Sequence, residues 1–347
     1  MRRIKIGTRP SLLALKQAEW VSERIKRKYP GLEIEIVKIK TLGDEKLEKE
    51  NRPLLLREGL FVKEIEEELL KGNIDVAVHS MKDLPTDISK DLCIAAITER
   101  EDARDIFISK KGNLKEIPSN SVIGTSSIRR KVQVLNYRKD LLVKDIKGNV
   151  DTRLKKLEDG GYDAIVLAAA GLIRLGWREK ITEFISTDIS LPAPGQGALG
   201  IEIRKDDKSV ADIASFLNHE DSYCAVCAER VFLKKIGGGC DFPIAAYGEV
   251  CSKTLISQQS RKDDEINSLL NKSVIPLSPP LLKGDLGGFS GEMLKLTGLV
   301  GTFDGKKIIR ESITGGKRDF EKLGIELSER ILLKGGKEIL ARYKEKG

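Results

Sequence analysis

Polar and charged side chains follow the apolar run in GNIDVAVHSMKDLPTD, residues 72–87. His79, Ser80, Lys82 and Asp83 stand together where this run ends. In open α/β sheets, ligands bind outside the carboxyl ends of the strands, so the cluster is a candidate ligand site. The alternative is a surface turn in which Asp83 caps a helix or bonds its own loop, as aspartates commonly do.

Two further stretches combine hydroxyl groups and arginines at the predicted start of a helix. They are GTRPS, residues 7–11, and GTSSIRR, residues 124–130. Hydroxyls and free N–H groups at a helix N-terminus bind anions, and arginines add bidentate charge. Either stretch alone is typical of an ordinary cap, but both together with the first cluster predict a shared anion site. The side chains concerned are Arg9, Ser11, Thr125, Ser126, Ser127, Arg129 and Arg130.

The net charge of +8, from 61 basic and 53 acidic residues, is concentrated in residues 129–156. That segment holds ten lysines and arginines against three aspartates. Such a concentration predicts a polyanionic partner, either nucleic acid or a small molecule rich in carboxylate or phosphate. For part of this segment, the alternative to a binding surface is a helix face exposed to solvent. An aromatic content of 5% offers few platforms for base stacking, which counts against nucleic acid.

Length and composition describe a globular protein of two or three domains, with 347 residues, 40% of them apolar and 33% charged. No apolar run approaches the roughly 20 residues of a membrane span, and the chain starts directly in a strand pattern, so we expect a cytoplasmic protein without a membrane partner. Five cysteines at irregular spacing indicate reduced thiols. With two histidines and no second cysteine pair, we expect no metal site.

Short β-branched runs alternate with helical patterns, which predicts βαβ units and mostly parallel sheets. The first unit has strands in RRIKIGT and EIEIVKIK and a helix over 11–28. The charged stretch 43–59 is too long and polar for a routine connection and predicts a mobile lid. After residue 100 the pattern restarts, and two successive units imply a ligand-binding cleft between them. Elements of the second unit are expected over 121–125, 127–138, 141–146, 150–159 and 164–169.

A smaller α+β domain is expected from residue 218 onwards. Its helix over 221–236 ends in Gly237–Gly239, and a closing helix is expected to break at Gly335–Gly336. Strands are expected near 243–250, 294–302 and 307–313. Residues 253–292 have no helix or strand period and are rich in proline and glycine, so we expect a disordered insertion.

Six motifs in order along the chain are HSMKDLP, GTSSIRR, KGNVDTRL, AAAGLIRLG, LPAPGQGALGIE and GGGCDFPIAAYGE. Together they resemble the porphobilinogen deaminase (hydroxymethylbilane synthase) family, and the similarity fails only across the insertion. The resemblance implies two periplasmic-binding-protein-like α/β lobes and a smaller C-terminal α+β domain. Domain 1 is then 1–99 and 197–217, domain 2 is 100–196, and domain 3 is 218–347 including the insertion. The glycines of loop 191–200 let the backbone approach a ligand or merely make the crossover.

The resemblance further implies a transferase of tetrapyrrole and haem biosynthesis. Its members hold a dipyrromethane cofactor on a cysteine, here Cys240, through a thioether. Four porphobilinogen molecules lose ammonia and are added stepwise, and hydrolysis releases the linear tetrapyrrole hydroxymethylbilane. Asp83 is the implied catalytic residue, because a carboxylate aimed at pyrrole N–H groups stabilises each cation and moves the proton.

Each ring carries an acetate and a propionate group, so the growing product is a polyanion and the basic segment is explained. The implied cofactor-binding residues are Ser80, Lys82, Thr125, Ser127, Arg129, Arg130, Lys147, Gly148 and Arg153. The implied substrate-binding residues are Arg9, Ser11, Arg174, Gln196 and Gly197. A monomer that binds porphobilinogen and no nucleic acid is expected.

Two positions depart from the family pattern. Lys147 stands where the family commonly has arginine, which replaces a planar fork by a point charge. Glu58, beside Arg57, stands where the family often has a basic residue. A two-lobed anion-binding protein without chemistry is the rival interpretation, but it leaves Cys240 and the third domain without a purpose.

Overall fold

The computed structural model describes residues 3–44, 59, 61–237, 242–252 and 292–344. Its strands are β1 (Arg3–Thr8), β2 (Glu33–Lys38), β3 (Val76–Ser80), β4 (Leu92–Ile97), β5 (Asp105–Ser109), β6 (Val122–Gly124), β7 (Leu142–Lys144), β8 (Ala164–Ala168), β9 (Glu183–Phe184), β10 (Leu199–Arg204), β11 (Ile244–Ser252), β12 (Glu292–Gly301) and β13 (Ile308–Gly316). Its helices are α1 (Leu12–Lys28), α2 (Lys63–Leu70), α3 (Ile128–Tyr137), α4 (Val150–Glu158), α5 (Ala169–Arg174), α6 (Lys208–Ser215), α7 (Glu220–Ile236), α8 (Phe320–Ile331) and α9 (Lys337–Lys344).

The first lobe is built on a five-stranded sheet of order β2-β1-β3-β10-β4. β1 runs parallel to β2 and β3, whereas β10 runs antiparallel between β3 and β4. Val76 and Val78 of β3 pack in the cluster that contains α1 and α6, and Ala77 packs with α2. Helices therefore cover both faces of the sheet, which explains why β3 is a continuous apolar run.

The second lobe repeats this arrangement, with the order β7-β6-β8-β5-β9. β6 runs parallel to β7 and β8, and β5 runs antiparallel beside β8. The chain enters this lobe after β4 and leaves it before β10. The two segments that cross between the lobes therefore follow β4 and precede β10. β10 pairs with β3, the strand that leads to the predicted site residues Ser80, Lys82 and Asp83.

The third domain is an antiparallel sheet of order β11-β12-β13. Phe232 of α7 and Leu327 of α8 pack with Leu296 and Val300 of β12 in its core. α7 ends at Gly237, which has φ of 73° and donates its N–H to the Leu233 carbonyl, as expected for a glycine stop. This domain also contacts the second lobe, because Arg310 of β13 donates to the Asp188 carbonyl at 2.8 Å.

The predicted fold class, two α/β units followed by a smaller α+β domain, is confirmed. The break in the last helix is also confirmed, since Gly335 has φ of 103° between α8 and α9. The sheets are mixed rather than mostly parallel, because β10 and β5 run antiparallel to their neighbours, and the sequence patterns do not predict β4, β5, β9, β10, α5 or α6. The predicted lid and insertion fall largely on residues 45–58 and 253–291, outside the described residues. The domain boundaries stay a prediction.

Within the described parts of the chain, no helix has the length and apolar character needed to cross a membrane. The four described cysteines, Cys93, Cys224, Cys227 and Cys251, are free thiols. Burial raises the pKa of Cys224 to about 11 and that of Cys227 to about 12, so both thiols of the CxxC pair stay protonated at neutral pH.

Candidate active site

Asp83 lies in a single 3-10 turn that directly follows β3. Met81 and Leu84 are buried on either side of it, and the Met81 N–H donates to the Ala198 carbonyl at 3.0 Å. Because these apolar neighbours are anchored in the core, the turn presents the Asp83 side chain outwards, where it is exposed. Its carboxylate has no hydrogen bond or ion pair with another described residue, so it is free to bind a ligand.

Lys82 is half-buried beside this carboxylate and lies close to the charges of Arg129 and Arg130. Burial lowers the pKa of Lys82 to about 8; the two guanidinium groups add to the shift, and Asp83 opposes it. Among the described residues, no carboxylate forms an ion pair with the Lys82 ammonium group. A desolvated ammonium group of this kind favours an anionic ligand.

Asp105, the first residue of β5, is fully buried and holds both arginines of GTSSIRR. Arg129 donates to the two carboxylate oxygens at 2.7 and 3.1 Å and to the Leu191 carbonyl at 2.6 Å. Arg130 donates through Nε to Asp105 Oδ1 at 2.9 Å. Burial alone raises the pKa of a carboxyl group, but the two guanidinium groups hold the pKa of Asp105 far below its usual value. One carboxylate thus balances two guanidinium groups, and one positive charge is left in excess.

Gln196 connects this ion-pair network to the crossover between the lobes. Its Nε2 donates to the Ala103 carbonyl at 2.6 Å and to Asp105 Oδ1 at 3.0 Å, and its Oε1 accepts from Arg130 at 3.3 Å. Both ends of the buried amide are engaged within the protein. Gln196, predicted to bind substrate, therefore acts in this structure on the position of Arg130.

Arg153 and Arg174 are half-buried, and neither has a carboxylate partner within ion-pair distance in the described part of the chain. Arg153 Nε donates to the Gly148 carbonyl at 2.7 Å, and an Arg174 nitrogen donates to the Gly197 carbonyl at 2.6 Å. Both glycines have positive φ, 114° and 96°, which glycine adopts without strain. Burial lowers the pKa of each arginine to about 10. Each guanidinium group is thus held at one nitrogen and keeps its other donors for a ligand.

The predicted hydroxyl donors are partly engaged with the protein. Ser80 Oγ accepts from Gln17 Nε2 at 3.0 Å, and Ser11 Oγ caps the first turn of α1. Thr125 is buried, and its Oγ1 accepts from the Ser127 N–H at 3.2 Å. Ser127 itself begins α3 without a side-chain cap. Of these four, the Ser127 hydroxyl is the best placed for a ligand.

Neither Arg9 nor Lys147 makes a side-chain contact with these groups in the described part of the chain. Arg9 pairs with Asp44, within the predicted lid, at 2.5 Å and stacks on the ring of Phe61, just after the lid, at 3.9 Å. Lys147 is exposed, and its ammonium group has no partner among the described residues. Cys240, like Arg57 and Glu58, lies outside the described residues.

Electrostatic contacts join five of the predicted residues, Lys82, Asp83, Arg129, Arg130 and Arg153, which we call the basic cluster. Sequence reasoning missed the acids that hold the surrounding scaffold, Asp105 and Glu229. Glu229 of α7 is fully buried and accepts from Arg100 at 2.6 and 3.2 Å and from the Gly195 and Gly248 N–H groups. In the sequence, Asp105 stands at the edge of an apolar run and Glu229 stands within one. A single acid in such a position is the feature that could have identified both residues.

Two family models match the chain. "Porphobilinogen deaminase, dipyromethane cofactor binding domain" matches residues 4–212, and "Porphobilinogen deaminase, C-terminal domain" matches residues 223–258. The chain belongs to the porphobilinogen deaminase family. The resemblance drawn from the six motifs is thereby confirmed, as are the transferase class and the dipyrromethane cofactor that go with this family.

Named members of the porphobilinogen deaminase family align over nearly the whole chain. The porphobilinogen deaminase of Geobacter sulfurreducens is 46% identical over 343 residues, covering 98% of this chain and 95% of that protein. The porphobilinogen deaminase of Trichlorobacter lovleyi is 45% identical over 341 residues, covering 98% and 96%. Among solved structures, the methionine binding protein MetQ is 17% identical, with a TM-score of 0.39, covering 64% of this chain and 90% of MetQ. A TM-score this low supports no conclusion about this chain.

Proposed function

We propose that the chain condenses four porphobilinogen molecules onto a dipyrromethane held by Cys240 and then releases the linear tetrapyrrole by hydrolysis, with Asp83 as the acid–base. The observation that carries this proposal is the basic cluster, in which half-buried Lys82 and Arg153 have no carboxylate partner and Asp83 is exposed and unengaged. Cofactor, substrate and product all carry acetate and propionate groups. They supply the negative charges that the cluster lacks.

The residues present fit a polycarboxylate cofactor. The pKa values of Lys82 and Arg153 are lowered because both cations are desolvated near Arg130. A carboxylate bound between them relieves this repulsion, so binding is favoured by the charge distribution of the protein alone. We expect Lys82, Arg130 and Arg153 to hold the cofactor carboxylates, with Ser127 as a hydrogen-bond donor.

When bound, the dipyrromethane would supply the free pyrrole carbon to which the first ring is joined, and each later ring would join the free end of the growing chain. The incoming substrate loses its amino group as ammonia, and its pyrrole nitrogen then carries positive charge. The Asp83 carboxylate accepts a hydrogen bond from that N–H and stabilises the charge. After coupling, the same carboxylate takes the proton that the ring must lose. Because Asp83 has no competing partner in the protein, it can act in every round.

Arg174 stands outside the basic cluster and is suited to the carboxylates of the incoming substrate. Its guanidinium group is fixed by the Gly197 carbonyl at one nitrogen, which orients the remaining donors. Arg9 and Ser11 lie at the start of α1 and are assigned to the same task. In this arrangement the binding energy of substrate carboxylates is used to orient the reacting ring.

Intact mass and two matched aspartate variants test the proposal. The purified parent is expected to carry a covalent two-pyrrole adduct, and Cys240→Ser is expected to lack both the adduct and turnover. Asp83→Asn should lower turnover by at least about 10²-fold, the scale for a lost acid–base or charge stabiliser. Asp87→Asn is the control, since Asp87 is exposed on the same loop and paired with Lys234. A parent without adduct, or Asp83→Asn with parental turnover, would contradict the proposal.

The proposal includes a monomer in the cytoplasm. It is supported by the reduced thiols and by the position of the predicted site within one chain. Light scattering of the purified protein that gives the mass of a dimer would contradict the monomer.

A further inference from the structure

We propose that Arg230 of α7 is a positioning residue that holds the loop carrying Asp83, so that turnover rather than substrate binding depends on its guanidinium group. The inference rests on the function proposed above, in which Asp83 is the acid–base. Arg230 is not among the residues assigned to the cofactor or the substrate.

The Arg230 guanidinium group donates to three consecutive main-chain carbonyls directly after Asp83. One terminal nitrogen donates to Leu84 at 3.1 Å, and the other donates to Pro85 at 2.6 Å and Thr86 at 3.5 Å. These residues belong to an irregular loop, where the carbonyls have no strand or helix partner. The planar fork of arginine suits this task, because its donors diverge in fixed directions and can hold several acceptors at once.

Arg230 makes these contacts with no carboxylate at ion-pair distance in the described part of the chain, and Glu202 and Asp87 favour its charge only from further away. Arg230 is only 9% exposed. A buried charge without a partner is unfavourable for folding, and an apolar side chain of similar volume is often as stable or more so. Its guanidinium hydrogen bonds all go to the loop that follows Asp83, so the effect of this arginine is to fix that loop.

The same face of α7 contacts the Asp83 loop at three levels. Val226 packs in one apolar cluster with Met81 and Leu84, Arg230 binds the carbonyls that follow, and Lys234 pairs with Asp87 at the surface. The spacing of four residues places these three side chains along one helix face. The helix then ends at Gly237, three residues before Cys240 in the sequence. α7 thus ties the position of the acid–base to the element that leads to the cofactor cysteine.

A double-mutant cycle tests this role in the holoenzyme, after intact mass has verified the dipyrromethane adduct of each form. Arg230→Met is expected to lower kcat at least about tenfold and to change KM less than about threefold. Displacing the catalytic carboxylate slows the chemical step, which kcat reports, and leaves substrate binding largely unchanged. In the Asp83→Asn background the same change is expected to lower kcat less than about threefold, since no carboxylate remains to be positioned. Lys234→Met, which removes the surface contact of the same face, is the matched control and should change kcat less than about twofold.

Arg230→Lys keeps the charge but not the fork, and it is expected to recover part of kcat. If Arg230→Met does not fold, Arg230→Lys is measured in both backgrounds against the same criteria. Equal losses of kcat with and without the Asp83 carboxylate, or a rise in KM alone, would overturn the role of Arg230 while the proposed function stands. A parent without adduct, or an Asp83→Asn variant as active as the parent, would instead overturn the proposed function.

Discussion

Replacing Asp105 with asparagine removes the charge that balances Arg129 and Arg130 but keeps the shape of the side chain. The carboxylate accepts five hydrogen bonds, two from Arg129 and one each from Arg130, Ser190 and Gln196. Removing one partner of a buried ion pair costs about 3–5 kcal/mol, because an uncompensated charge is left behind. Two guanidinium groups lose their partner here, and the new amide N–H faces their donors. We therefore expect a loss in the upper part of that range, about 4 kcal/mol or more.

Urea unfolding followed by tryptophan fluorescence can report on the affected lobe alone. The chain has two tryptophans. Trp177 packs against the core of the second lobe, which contains Asp105, and Trp20 packs against the core of the first. In a Trp20→Phe background, Trp177 therefore follows the second lobe. Asp140→Asn is the control there, because its pair with Arg138 is only partly buried, so a smaller loss than that of Asp105→Asn is expected.

The loss of unfolding free energy in Asp105→Asn depends on pH, and the pKa of Asp105 determines the direction of that dependence. The pKa of Asp105 is held far below its usual value, so its contribution is fully present above the unfolded pKa of about 3.9 and is lost as the pH falls through the native pKa. The difference between parent and variant should be constant between about pH 5 and pH 8 and should shrink in stronger acid. A loss below about 1 kcal/mol at neutral pH, or one that grows on acidification, would refute the reasoning.

Three other predictions concern the surroundings of Asp83. Because burial lowers the pKa of Lys82 to about 8 when no cofactor carboxylate faces it, assembly of the cofactor on protein prepared without it should slow as the pH rises through that value, and Lys82→Arg should abolish this dependence. Lys147→Ala should lower kcat/KM by about one to two orders of magnitude and Lys147→Arg should preserve or raise it; if both match the parent at one ionic strength, Lys147 is not a clamp. A Cβ at Gly195, with φ of 74°, lies 2.9 Å from Met81 Cβ, so Gly195→Ala should lower both stability, by about 1–3 kcal/mol, and kcat. Gly160→Ala, at φ of 81° with open space around it, should lower stability only, and equal kcat losses would contradict this expectation.

The sequence predicts the elements of this fold where a pattern is long or bounded by clear stop signals. β3 is recognisable because both of its faces are covered, and α7 because it ends in glycine. β4 and β5 lie on either side of the crossover and follow one another with no helix between them, so the alternation of strand and helix that guides the prediction is absent there. α6 has eight residues, which is about two turns and too short for a clear helical period. Which sheet a strand joins depends on tertiary packing that local periodicity does not encode.

The residues of the site likewise divide into those that local motifs predict and those that only the fold brings together. The motifs predicted that Lys82, Asp83 and the arginines belong together, and the structure brings most of them into the basic cluster. They could not predict that Arg129 is bound to Asp105, because this partner is 24 residues away and reaches it through the pairing of β5 with β8. Likewise, Arg230 meets the Asp83 loop across a separation of 146 residues. Partners at such distances follow from the fold rather than from local sequence.

Arg129 and Arg130 are adjacent in sequence, but an α-helix turns them about 100° apart, and this separates their tasks. Arg129 uses its donors on Asp105 and the Leu191 carbonyl, whereas Arg130 also acts electrostatically on Lys82 and Arg153. A second buried acid beside Asp105 would neutralise the cluster and remove its attraction for anions. Without Asp105, two guanidinium groups would be buried unpaired. A single carboxylate between them keeps the lobe folded and still leaves the positive charge that a polycarboxylate ligand requires.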